Sequence, residues 1–289
     1  MRYKWDARGY DKNASFQRGL ATELIDKLGL KGDERVLDVG CGDGKNTSEI
    51  AARLPRGTAL GIDSSEDMIG HAKREYPPAR FPNLSFEVMD VLKMGYRGEF
   101  DVVFSNATLH WIKDHRRMLK KVAASLRPGG RILIQMGGKG NAADTFRVMD
   151  AFAESEKWRD YFTGYESPFG FWSPKEYEPW MKEAGLAPRR IELIERDMTQ
   201  VWPEGFKGWI RSTWLPYTES VPEGLREEFI DEVAKEYVRL HPLRKDGKVH
   251  VAMVRLEVEA EKENVPVSRF GIHPQMRPFE RSRGWQTGH

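Results

Sequence analysis

A short apolar strand that runs straight into a glycine-rich turn and then a helix narrows the fold of this chain more than any other feature. Val36-Leu37-Asp38-Val39 is interrupted by Gly40-Cys41-Gly42-Asp43-Gly44, and helical periodicity returns over 47–54. The alternation then repeats. Strands are expected at 59–62, 84–88, 100–104 and 131–136, with helices at 66–76 and 116–126, the last stopped by Arg127-Pro128-Gly129-Gly130. An amphipathic helix over 15–30 precedes them. Strands separated by helices pair in parallel, because the crossover helix brings the chain back to the same sheet edge. Two later strands, 190–194 and 249–258, complete the expected fold, a doubly wound, mostly parallel seven-stranded α/β sheet.

The cofactor-binding core is expected at about 30–137, inside one domain spanning 1–262. Segments 138–185 and 200–246 read as insertions forming a helical substrate cap. The first contains a helix at 174–184, with Ser173 as N-cap, Glu176 completing a capping box and Gly185 ending it. The second is rich in aromatics: Trp202, Trp209, Trp214 and Tyr217. Residues 263–289, with Pro266, Pro274, Pro278 and several arginines, read as an extended or disordered tail.

Charge limits the choice of partner. With 46 Lys plus Arg against 44 Asp plus Glu, the formal charge is +2, too balanced for a dedicated nucleic-acid surface. A small-molecule partner fits better. A lone Cys41 cannot form an intramolecular disulfide, the opening residues lack a signal-peptide core, and no apolar run reaches the roughly 18 residues of a spanning helix. A cytoplasmic monomer or dimer, without membrane attachment, is therefore expected. No His, Cys, Asp or Glu cluster has metal-ligand spacing, so no metal site is expected.

The glycines at 40, 42 and 44 let the backbone turn sharply and approach a ligand, with helix N–H groups facing a negative group. A dinucleotide fingerprint would need another glycine where Lys45 stands. Asp63 ends the next strand and suits the paired hydroxyls of a ribose, although Asp63-Ser64 also reads as a helix cap. Asp90 ends the strand after that, where a carboxylate can accept from an adenine amino group beside the apolar Val91. Acids at the ends of successive parallel strands share the carboxyl edge of the sheet, where open α/β sheets bind ligands.

Together these segments, VLDVGCGDG at 36–44, GIDSSEDM at 61–68, VMDV at 88–91, FDVVFSNATLHW at 100–111 and LRPGG at 126–130, resemble the motifs of class I S-adenosylmethionine (SAM)-dependent methyltransferases. Tyr10-Asp11-Lys12-Asn13 with Gln17 and Arg18, the stretch Asn106 to Trp111, and Leu240-His241-Pro242-Leu243 are similar to the group containing trans-aconitate 2-methyltransferase and insect juvenile hormone acid methyltransferase. The resemblance implies a Rossmann-like methyltransferase fold, SAM as cofactor and S-adenosylhomocysteine as product. It implies that Asp38 and Gly40, with Cys41 and Gly42, frame the methionine moiety. Asp63 with Ser64 would hold the ribose, Met68 and Val91 enclose the adenine, Asp90 contact its amino group and Asn106 line the cofactor. Gln17 would face the acceptor.

Methyl transfer from a sulfonium is an in-line displacement, so the enzyme mainly holds the reactants at attack distance and removes water. A carboxylate, with a pKa near ~4, is already ionised and needs no base, whereas a hydroxyl or ammonium must first lose a proton. A small carboxylic acid is thus the expected acceptor. Small-molecule nitrogen or hydroxyl acceptors, RNA or protein, and a non-catalytic SAM-binding module are the alternatives. His110 is the one candidate base near the cofactor edge, against the reading that it packs beside Trp111 or orients substrate. Tyr10, Gln17, Arg18, Trp111, Trp214 and Tyr217, with Trp5 and Trp209, are the candidates for holding the acceptor; each aromatic could equally be core.

Overall fold

A computed structural model describes residues 15–263, with side chains from Ala21 onward. Tyr10 and Trp5, the side chains of Gln17 and Arg18, and the tail beyond Glu263 lie outside the described residues.

The helices and strands follow in the order α1 (Ser15–Lys27), β1 (Arg35–Val39), α2 (Lys45–Ala52), β2 (Thr58–Asp63), α3 (Glu66–Glu75), β3 (Leu84–Val88) and β4 (Phe100–Asn106). After a 3₁₀ turn at Leu109–Trp111 come α4 (His115–Ser125), β5 (Leu126–Gly137), α5 (Ala143–Glu154), α6 (Pro174–Glu183) and β6 (Leu186–Val201). The chain continues through α7 (Glu204–Thr213), α8 (Leu215–Thr218), α9 (Arg226–Leu240) and β7 (Lys248–Lys262). One seven-stranded sheet has the order β3-β2-β1-β4-β5-β7-β6. The pairs from β3 to β5 are parallel, and β7 is antiparallel to both β5 and β6. Strand order reverses between β1 and β4, which opens a crevice at their carboxyl ends.

Strand side chains alternate between the two faces. Val36, Val102, Phe104 and Leu133 pack with α1, α2 and α3 residues such as Ile25, Ile50 and Ile69. Leu37, Val103, Ile132 and Ile134 pack on the opposite side with Met118 and Val122 of α4. A second core gathers Met149, Trp158, Phe206, Trp209, Phe229, Val233 and the β7 residues Val249, Val251 and Met253.

Three expectations are corrected. Helix α6, read as part of the cap, buries Tyr177 and Met181 in the sheet core beside α4, and Lys120 pairs with Glu183 at 2.6 Å. An amphipathic helix carries the same apolar stripe whether it covers a sheet or a cap, so periodicity could not separate the two. The strand expected at 190–194 runs over Leu186–Val201, and β7 over Lys248–Lys262. Charged residues hid this length, because the edge strand β6 tolerates them; Pro188, which has no N–H to donate, sits at a register shift. Finally, Arg127 to Gly130, expected as the stop of a helix ending at Leu126, are absorbed together with Leu126 into β5, with an irregular register against β4.

Candidate functional site at the carboxyl edge of the sheet

Parallel register aligns Val39 with Ile62 and Asp63 with Val88, so the segments after β1, β2 and β3 emerge side by side. The glycine loop is tied to β2, since Gly40 N–H and Cys41 N–H both donate to Ile62 O, at 2.7 and 3.0 Å. Gly40 has φ 74°, and a Cβ there would lie 2.2 Å from Thr108 Cγ2. Thr108 Oγ1 donates to Gly40 O at 3.0 Å, locking this loop to the one after β4. Gly42 also has positive φ, but an added Cβ would meet nothing within 4 Å, so the loop apex borders open space.

The expected acids are gathered at this edge. Asp38 is buried at the end of β1 and accepts from Thr47 Oγ1 at 2.7 Å. Burial pushes its carboxyl up to about 7; the Thr47 bond opposes this and the charges of Asp63 and Asp43 add to it. Asp63 accepts N–H bonds from Gly42 at 3.1 Å and Ser65 at 2.8 Å, one on each oxygen. Burial raises its carboxyl as well, against the pull of those N–H groups. Ser64 is exposed beside it. Met68 is buried in the first turn of α3, its N–H donating to the N-cap Ser65 at 3.3 Å. Asp90 is half-buried just past β3 and accepts from Leu92 N–H at 2.9 Å, next to the buried Val91. Cys41 is buried, and burial with the nearby carboxylates raises its thiol, leaving it inert. Asn106 ends β4 half-buried.

A cavity of about 90 Å³ opens immediately after β4. Ala107, held at φ 58°, His110 and Trp111 form one side; Phe146, Phe169, Phe171, Trp209 and Trp214 form aromatic walls. His110 stacks on Phe169 and on Phe171, each with ring centroids 6.0 Å away. Its Nδ1 accepts from Gly137 N–H at 3.4 Å. Burial pushes the ring down to about 3, with the charges of Arg255 and His115 adding to the shift. The ring is therefore neutral at physiological pH. With Nδ1 engaged as acceptor, the proton resides on Nε2.

Of the aromatic candidates, Trp111, Trp209 and Trp214 line this cavity and Tyr217 does not. Tyr217 is a core residue instead, fully buried with its hydroxyl donating to Asp150 Oδ1 at 2.5 Å. Sequence reasoning missed Arg255, Asn141, Phe146, Phe169 and Phe171, all of which line the cavity. Arg255 had a readable signal. It continues the face of β7 on which Val249, Val251 and Met253 are buried, so a charge stands where the pattern predicts an apolar side chain.

A family model described as "Methyltransferase domain" matches residues 30–185. Trans-aconitate 2-methyltransferase of Deinococcus radiodurans is 33% identical over 78% of this chain and 87% of its own length. The enzyme of that name from Methylobacterium nodulans is 28% identical over 89% of this chain and 98% of its own. Among solved structures, the YcgJ protein of Bacillus subtilis superposes with a TM-score of 0.59 at 17% identity, covering 85% of this chain and 99% of that one.

Proposed function

The chain belongs to the methyltransferase domain family and is a SAM-dependent methyltransferase, and from that premise we propose that it methylates a carboxylate oxygen of a small acid. When bound, SAM supplies a methyl group made electrophilic by a positively charged sulfur.

The cleft at the carboxyl edge suits that cofactor. Asp38, buried, and Asp63, half-buried, are carboxylates that repel each other, and a cationic ligand rich in hydroxyls relieves that repulsion. The open space at the apex of Gly42 admits the methionine end past the glycine loop, which Asp38 and Gly40 frame. The Asp63 carboxylate has acceptor capacity beyond its backbone bonds and would accept from the ribose hydroxyls. Met68 and Val91 would enclose the adenine, Asp90 would take its amino group, and Asn106 would line the side toward the cavity.

The observation that carries the choice of acceptor is that the polar lining of the adjoining cavity is dominated by hydrogen-bond donors, with the Thr213 hydroxyl, which both donates and accepts, beside them. Neutral His110 keeps its proton on Nε2. Asn141 Oδ1 accepts from Val254 N–H at 3.1 Å, which leaves its amide hydrogens to donate. Arg255 can only donate. Among the described lining residues there is neither Asp nor Glu. Such a lining matches an acid, whose carboxylate groups only accept, and among the described lining residues it offers no carboxylate base to an ammonium or hydroxyl. Ester formation from a carboxylate releases no proton, so the residues need only hold the acid, aim an oxygen and exclude water. The aromatic walls from the second core, which we read as the substrate cap, perform the last task.

Purified protein incubated with SAM and a panel of small acids, trans-aconitate included, should release S-adenosylhomocysteine together with a methyl ester visible by mass spectrometry. His110→Ala should retain a measurable rate with no new alkaline dependence. Loss to background, or methylation confined to amines and alcohols, would overturn the reading.

A further inference from the structure

Resting on that reading, we propose that Arg255 is the residue that selects the acid, its guanidinium holding an anionic group of the acceptor other than the one that is methylated. Arg255 lies on β7 in register with Gly137 of β5 and is half-buried at the cavity wall. Its charge is felt at His110, on the far side of β5 from β7.

Two physical arguments separate the held group from the reacting one. A carboxylate loses its negative charge as it becomes an ester. A guanidinium paired with that group would stabilise the acid more than the transition state and raise the barrier. Paired with a group that stays anionic throughout, it stabilises both states alike and acts on binding alone. Position points the same way. The order β4-β5-β7 puts the backbone of Arg255 two strand spacings, about 10 Å, from β4, whose end borders the cofactor edge. Such a separation suits the two ends of one small acid better than two contacts on one carboxylate. The planar fork of arginine matches a carboxylate with two parallel bonds, a geometry lysine does not reproduce.

Initial rates of methyl ester formation with butanoate, pentanoate, succinate, glutarate and trans-aconitate test this on wild type, Arg255→Lys and Arg255→Met. Wild type should prefer the acids with more than one carboxylate. Arg255→Met should raise KM for those acids by about tenfold or more while changing kcat less than about threefold, and so level the preference. Arg255→Lys should fall between. S-adenosylhomocysteine affinity, measured by calorimetry, reports that each variant is folded. A preference for these acids that survives in Arg255→Met, or a loss confined to kcat, overturns the role of Arg255 and leaves acid methylation standing. A wild type that esterifies none of the acids removes both.

Discussion

Asp38 is held where ionisation is costly, behind Gly40 and against Thr47, with Asp63 close enough to oppose its charge. A carboxyl raised to about 7 stays protonated in the fold over a range in which the unfolded chain has lost its proton. The folded state then binds more protons, so this group's contribution to stability falls as pH rises from about 4 to 7 and is flat above. Ligand binding has the opposite sign. On the proposed pairing of the SAM ammonium with the ionised form, affinity should climb by up to about tenfold per pH unit from pH 5 toward 7 and then level off. Calorimetry from pH 5 to 8 checks this. Asp38→Asn should flatten the curve, and a wild-type affinity indifferent to pH would reject the pairing. At this scale the gathering of acids at the carboxyl edge was readable in advance, because Asp38, Asp63 and Asp90 stand at or just past the ends of successive strands. The acceptor side was less legible. Tyr217 and Trp214 look alike in a sequence, and only the carboxylate of Asp150 under the Tyr217 hydroxyl separates core from cavity wall.

Among the elements, the unit formed by β1, its glycine loop and α2 governs the cleft, and Gly40 is its tightest point. A side chain there meets both positive φ and Thr108, whose hydroxyl ties the loops after β1 and β4 together. Gly40→Ala should lower stability by about 2–4 kcal/mol, combining left-handed strain with overpacking, and weaken SAM binding as the two loops part. Chemical denaturation and cofactor titration measure the two effects; a stable variant with native affinity would show that the contact yields. The strands and helices up to β5 were legible because buried parallel strands and amphipathic helices carry strong, different periods. The β6–β7 hairpin was only half legible. Its strands alternate charged and apolar residues, and their pairing with each other, not their local pattern, sets their length.

Across the whole molecule, the proposed cofactor cleft rests on the sheet core, and the second core supplies part of the wall of the proposed acceptor cavity. Phe229 is fully buried in the second core, with Trp158 at a ring separation of 5.2 Å. Phe229→Ala should destabilise by about 3–5 kcal/mol and raise the KM of the acid while leaving SAM affinity within about twofold. Thermal unfolding with cofactor titration tests that division, and equal losses at both sites would deny it. That a second core existed was suggested by the aromatics between 202 and 217. That 138–185 and 200–246 would form one cap was expected, but which residues of 142–165 meet those aromatics was not legible, because contacts between distant segments leave no local period.

One strand is common to both cores. β7 places Val249, Val251 and Met253 in one and Leu256, Val258 and Ala260 in the other, and Arg255 sits at the crossing. This makes β7 a ruler: sliding it by one residue against β5 would swing the guanidinium to the opposite side of the pleat, and sliding it by two would carry it past the mouth of the cavity. Substitutions in the cavity walls therefore leave the position of Arg255 unchanged, and an insertion or deletion in the turn before Lys248 does not disturb the graduation of the scale.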